Sequence, residues 1–180
     1  MPAVSAATPV SYRNAASTDA AALATLARET FVATFAHLYP AADLNAYVAQ
    51  TYGVDIQRKE ICDPARATRL AITDEGLVGY CGVGEMKLPF DVGARRAFEL
   101  RTLYVVEAMK GAGVAARLMD WALDIARARA AQDMYLGVYG ENHRAQRFYK
   151  RYGFEIVGRY DFPVGATLDD ERIMRLRLEN

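Results

Sequence analysis

Phe-Glu-Leu-Arg-Thr-Leu-Tyr-Val-Val-Glu-Ala-Met-Lys-Gly-Ala-Gly-Val-Ala-Ala-Arg-Leu-Met, residues 98–119, joins an apolar run to a long helical pattern through a short glycine loop. The run Phe98 to Val106 has strand character. The loop ends in Lys110-Gly111-Ala112-Gly113-Val114-Ala115, where the helical pattern begins. Strand, glycine turn and helix start form a phosphate-binding arrangement. The first N–H groups of a helix lack intrahelical partners, and its dipole favours an anion there. Glycine lets the backbone approach a bulky anion and take a positive φ. A plain strand–helix connection would look similar. So would a dinucleotide site, since Gly111-Ala112-Gly113-Val114-Ala115-Ala116 fits G-x-G-x-x-A and Glu141 follows the next strand. Spacing weighs against the dinucleotide. Glu107-Ala108-Met109-Lys110 intervene after the strand, and the unit follows a meander of antiparallel look.

The segments on either side predict the fold. Val10 to Asn14 reads as a short strand, and Ser17-Thr18-Asp19 offers helix caps. Leu23, Leu26, Ala27, Phe31 and Phe35 then recur at helical spacing. A shorter helix is expected from Ala41 to Tyr52, stopped by Gly53, while Arg58 to Pro64 is ambiguous, with a helix as one reading. A strand through Leu70 and Ile72 turns at Asp74-Glu75-Gly76 and returns as Leu77 to Met86. Pro89 to Arg96 is a loop. The helix from Gly113 to Arg129 carries Leu118, Trp121, Ala122 and Ile125 on one face. Met134 to Tyr139 is a strand, and Asn142 to Tyr152 a helix closed by Gly153. Two last strands, Phe154 to Tyr160 and Ile173 to Leu178, flank a loop over Asp161–Asp170 with Pro163 and Gly165. The order β-α-α-β-β-β-α-β-α-β-β predicts a mixed α/β domain with helices on both faces of one sheet.

The bulk properties narrow the class. At 180 residues, one domain over 10–180 is expected, after a loose tail over 1–9. Hydrophobic residues make up 52%, enough for a sizeable core. A formal net charge of zero argues against a general nucleic-acid binder. No stretch approaches the ~20 apolar residues of a membrane span, and the N-terminus lacks the basic residues and apolar block of a signal peptide. Cys62 and Cys81 show no metal spacing and are expected to be buried, reduced thiols. A cytoplasmic location follows by default. His37 and His143 have no metal-type partners, so no metal site is expected. The acidic residues show no cluster that by itself marks a polycation site. A homodimer is allowed by the sequence.

A second motif lies downstream. Asn142…Ala145…Phe148-Tyr149…Gly153-Phe154 places Ala145 and Tyr149 on one helical face. Asn142 is a good N-cap in any case, and aromatics at helix ends usually pack in a core.

With both motifs present, the sequence resembles the GNAT superfamily of acetyl-CoA-dependent N-acetyltransferases. Its acyl-CoA motif, R/Q-x-x-G-x-G/A, matches Lys110-Gly111-Ala112-Gly113-Val114-Ala115 with Lys in the first position. Leu103-Tyr104-Val105 matches the preceding strand, and the Asn142–Phe154 helix matches N-x-x-A-x-x-F-Y-x-x-x-G-F. The resemblance spans roughly residues 10 to 178. It implies a mostly antiparallel seven-stranded sheet and acetyl-CoA as co-substrate, without a metal. The tail Gly158…Phe162-Pro163-Val164-Gly165…Asp170…Ile173-Met174 is similar to bacterial diamine and spermidine/spermine acetyltransferases.

The resemblance also implies roles. The Val105 N–H would polarise the thioester carbonyl, and the N–H groups of residues 111 to 115 would hold the pyrophosphate. Lys110 would add a point charge, Asn142 would bond the pantetheine arm, and Tyr149 would protonate the leaving thiolate. Glu99 stands where several relatives carry a catalytic glutamate. On a regular strand it would share a face with Val105, and it also reads as a solvated strand residue. Phe35 and Tyr39, with Tyr47 and Tyr52, are expected to line the acceptor pocket or to pack the helical hairpin. The expected reaction is direct transfer to a primary amine, a small molecule such as a polyamine. A protein N-terminal or lysine acetyltransferase and a degenerate acyl-CoA sensor are the alternatives.

Overall fold

Seven strands pair into one sheet in the computed structural model, which describes residues 8–178. They are β1 (Ser11–Asn14), β2 (Arg66–Thr73), β3 (Gly76–Glu85), β4 (Ala97–Val105), β5 (Asp133–Tyr139), β6 (Glu155–Val164) and β7 (Thr167–Arg177). The spatial order is β1-β2-β3-β4-β5-β7-β6. All neighbours are antiparallel except β4 and β5, which are joined by a helical crossover. The tail expected over 1–9 lies, except for Thr8 and Pro9, outside the described residues.

Helices cover both faces, as the alternation of apolar positions requires. On one face lie α4 (Val114–Ala128) and α5 (His143–Arg151). Leu118, Met119, Ala122 and Ala126 of α4 are fully buried against Cys81, Val83, Leu100 and Met134 of the sheet. On the other face lie α1 (Ala20–Phe35) and α2 (Ala41–Thr51). Leu23, Leu26, Ala27 and Phe31 of α1 pack there with Leu70 and Tyr80.

Two expectations are corrected, and one ambiguity is resolved. The ambiguous stretch near Arg58 is a third helix of this half, α3 (Val54–Cys62), with Gly53 as its extended N-cap. Cys62 at its end is exposed, since Gln57 and Ile61 turn towards the protein, whereas Cys81 is buried. The expected Asp161–Asp170 loop is instead a long hairpin turning only at Gly165 and Ala166. Pro163 is tolerated because β6 is an edge strand, where a missing N–H breaks no ladder bond. Gly165 supplies the positive φ, +61°, that the tight turn demands.

Two irregularities shape the middle of the sheet. Pairing of β4 with β5 stops at Glu99↔Tyr135, although β4 continues beside β3 to Val105 and β5 continues beside β7 to Tyr139. The two strands therefore fork. Within β4, Leu100 faces Val83 while Leu103 faces Cys81, so one extra residue is inserted near Arg101.

Candidate active site

The fork holds a cavity of about 340 Å³. Thr102, Leu103 and Tyr104 form one wall, and Gly137 to Tyr139 form the other. Sheet geometry explains the free edge. Val106 donates its N–H to the Val78 carbonyl at 2.9 Å. Successive residues of a strand point their N–H groups to alternate sides, so those of Leu103 and Val105 are directed away from β3, towards the fork.

The bulge changes the expected placement of Glu99. Phe98, Leu100, Leu103 and Val105 all belong to the core under α4, whereas Tyr104 belongs to the opposite core. Glu99 therefore lies on the Tyr104 face and not on the Val105 face. Its side chain is buried in the cavity wall. Oε2 accepts the N–H groups of Lys87 at 2.6 Å and Leu88 at 3.2 Å, and the Arg101 guanidinium lies 3.9 Å away. Glu99 thus holds the β3–β4 loop over the cavity, and it is not a solvated strand residue.

The glycine loop continues directly from β4. Gly111 and Gly113 have φ of +88° and +81°, and nothing lies within 4 Å of where a Cβ would stand at either. The loop is thus open on its outer side. Gly113 is the N-cap of α4, and no cap side chain bonds its first turn. Ala112 is engaged, its N–H donating to Met109 at 3.3 Å. The Lys110 ammonium pairs with Glu107 Oε2, so it must leave that carboxylate to meet an anion. The open fork and an open N–H cradle together fit a thioester arm carrying a pyrophosphate.

Asn142 caps α5, with Oδ1 accepting the Ala145 N–H at 3.1 Å. That leaves its NH₂ group for a ligand. Gln146 fixes the same corner by donating to the Gly140 carbonyl at 2.6 Å. The Tyr149 ring packs edge-on against Phe148 and Phe154. Its hydroxyl, at the cavity, has no hydrogen-bond partner among the described residues. Burial, and then the charges of Cys81 and Glu171, push its pKa up, so it holds its proton.

From the other side, Phe35 and Tyr39 line the same cavity. Phe35 stands edge-on to Tyr139 at 6.3 Å, and the Tyr39 hydroxyl donates to Asp169. Tyr47 and Tyr52 are also in its wall. Leu103, Tyr104, Asn142, Tyr149, Glu99, Phe35 and Tyr39 are therefore brought together. Val105 and Lys110–Ala115 are not part of that lining and follow it along the chain.

Two acidic residues had no signal in the sequence. Asp169 and Glu171 alternate with Asp170 along β7, so both point to the cavity face. Asp169 lies in the expected loop and Glu171 between that loop and the last expected strand, so the sequence placed neither; the fold brings both to one cavity wall. Glu171 pairs across the sheet with Tyr139 on one side and Tyr160 on the other. A Cβ at Gly137 would lie 2.9 Å from Tyr160 Oη and 3.4 Å from Glu171 Oε2. Glycine at this position makes room for both. Burial, and then the charges of Asp169 and Asp170, push the Glu171 carboxyl up to about 7.

The chain is similar to known proteins. Residues 23–154 match the Acetyltransferase (GNAT) family. An uncharacterised N-acetyltransferase of Mycobacterium tuberculosis is 32% identical over 157 residues, covering 87% of this chain and 96% of the relative. The PaiA N-acetyltransferase of Thermoplasma acidophilum, solved with coenzyme A, superposes with a TM-score of 0.76 at 20% identity, covering 94% of this chain and 99% of that one. The yncA protein of Salmonella typhimurium, solved with acetyl-CoA, gives 0.68 at 20% identity, with 96% of each chain covered. The chain belongs to the GNAT family of acetyl-CoA-dependent N-acetyltransferases.

Proposed function

We propose that the chain acetylates a small, positively charged primary amine, a class that includes the polyamines. One observation carries this substrate class. The cavity that Tyr149 lines also holds Asp169 and Glu171 among aromatic rings. Carboxylates attract an ammonium group, and the faces of Phe35, Tyr39 and Tyr160 suit a cation. An extended peptide needs an open groove. Here the Tyr47 ring of α2 meets the Phe162 ring of β6 at 5.9 Å. Asp43 abuts the hairpin turn so closely that a Cβ at Gly165 would stand 2.4 Å from it.

The proposed roles are those the family resemblance implies, and the geometry above supports them. The N–H groups of the glycine loop and of the first turn of α4 hold the pyrophosphate, with Lys110 beside them. Asn142 bonds the pantetheine arm. The Val105 N–H, on the free edge of β4, stabilises charge developing on the acetyl oxygen. A well-placed donor of this kind contributes about 2.7–4 kcal/mol. Tyr149 donates a hydrogen bond to the sulfur as it leaves and supplies its proton.

Release of free thiol from acetyl-CoA tests the substrate class with n-butylamine, 1,4-diaminobutane, spermidine and an unblocked tetrapeptide. Turnover of the small amines above the peptide is expected. Preference for the peptide would move the chain to protein acetylation. Acetyl-CoA binding by calorimetry with no turnover on any of them would leave an acyl-CoA sensor.

A further inference from the structure

We propose that Glu171 of β7, rather than Glu99 of β4, takes the proton from the substrate ammonium, an assignment that rests on the small-amine reading above. An alkylamine has a pKa of about 10.4, so roughly one molecule in a thousand is nucleophilic at neutral pH. The protein must remove a proton before the nitrogen can attack.

The two glutamates differ in what already surrounds them. The Glu99 Oε2 oxygen accepts the amides of Lys87 and Leu88, so that carboxylate is already engaged in holding the β3–β4 loop. Glu171 has no ion pair and no hydrogen bond among the described residues, and it lines the fork beside Gly137. On its own strand Asp169 and Asp170 raise its proton affinity. Arg172 sits next to it in sequence but bonds Asp170. Glu60, Arg66, Glu99 and Arg101 line the same cavity, and the groups of other elements on which the Glu171 charge acts are Tyr39, Tyr47, Tyr104, Tyr139, Tyr149 and Tyr160. These six are phenols that stay neutral near pH 7. A base whose pKa lies near the working pH is the effective kind.

The proton balance closes. The Glu171 carboxylate accepts one proton from R–NH₃⁺, freeing the nitrogen lone pair. The nitrogen bonds to the acetyl carbon, the carbon–sulfur bond breaks, and its electron pair stays on sulfur. The nitrogen then loses a second proton, which replaces the one Tyr149 gives to the thiolate. The proton on Glu171 leaves to water, so each turnover releases one proton.

The test compares wild type, Glu171→Gln, Asp169→Asn and Glu99→Gln, with acetyl-CoA and either n-butylamine or 1,4-diaminobutane. In wild type, kcat/KM should rise with pH, bend near 7 and level off until the free amine titrates. In Glu171→Gln, kcat should fall about 10²–10⁴-fold, and the rate should climb tenfold per pH unit through pH 7–9 without the bend. Asp169→Asn should move the bend to lower pH, since a charge that raises Glu171 is lost. Glu99→Gln should lower activity but leave the bend in place. A readout without acetyl-CoA is the pH dependence of Tm. A carboxyl that titrates at 4.5 unfolded and near 7 folded lends stability below pH 4.5 and loses it as pH rises through 7. The Tm of Glu171→Gln minus that of wild type should therefore grow between pH 5 and 8 and then stay flat. A bend that persists in Glu171→Gln with kcat undiminished overturns the assignment. So does a bend that Asp169→Asn leaves unmoved, which decides the matter even where Glu171→Gln does not fold. Absence of turnover by wild type on both amines removes the small-amine reading itself.

Discussion

Tyr39, just beyond α1, donates its hydroxyl to Asp169 of β7, 130 residues away in sequence. Both side chains are buried. The bond ties the helical half of the acceptor wall to the hairpin half. Burial, and then the Asp169 bond, push the Tyr39 pKa up, so the phenol remains a donor across the neutral range. Tyr39→Phe would leave a buried carboxylate without that donor, at a cost of about 1–3 kcal/mol. A fall in Tm of roughly 5 °C is expected for a chain of this size. The KM for the amine should change and that for acetyl-CoA should not. An unaltered Tm would show that water replaces the phenol without loss.

The glycine loop offers a separate test, because its strain is in the backbone alone. Gly113 has φ of +81° and open space where a side chain would stand. Gly113→Ala should therefore cost about 1–2 kcal/mol through the left-handed conformation and nothing through collision. Asn visits that region more readily, so Gly113→Asn should recover part of the loss. Calorimetry should show weaker acetyl-CoA binding in the Ala variant. Equal affinity in all three forms would mean that the loop does not hold the pyrophosphate.

Much of this site was legible in the sequence, and the part that was not has definite causes. Gly111, Gly113 and Asn142 announce themselves because a positive φ and a helix cap each demand particular residue types. The fork is different. It arises because β4 pairs with β5 over only three residue pairs, and pairing length has no signature in one strand. The bulge near Arg101 is equally silent, yet it moves Glu99 to the face opposite Val105. Asp169 was hidden by Pro163 and Gly165, which read as a loop, and Glu171 fell just before the last expected strand. Only the strand order, with β6 at the edge, makes that proline compatible with a hairpin.

Gly137 shows how closely this wall of the cavity is fitted. A Cβ there would stand 2.9 Å from Tyr160 Oη and 3.3 Å from Leu88 Cδ2. These are ends of flexible side chains, so Gly137→Ala should fold with a small change in Tm. The displaced Tyr160 and Glu171 would then intrude on the cavity. A rise of roughly tenfold in the amine KM, equivalent to about 1.4 kcal/mol, is expected at constant acetyl-CoA KM. An unchanged amine KM would place the acceptor elsewhere than beside Gly137.

Tyr149→Phe tests the proposed proton donor. The ring that packs on Phe148 and Phe154 is retained, and the lost hydroxyl has no protein partner among the described residues, so Tm should hold. The sulfur would then leave without a donor. A fall in kcat of about 10²–10⁴-fold is expected at unchanged acetyl-CoA affinity, since the bond forms only as charge develops on sulfur. An acyl donor with a more acidic leaving thiol needs less help, so the gap between wild type and variant should narrow with it. Equal kcat in the two proteins, or a gap indifferent to the leaving group, would take Tyr149 out of the chemistry and leave it as a packing residue of α5.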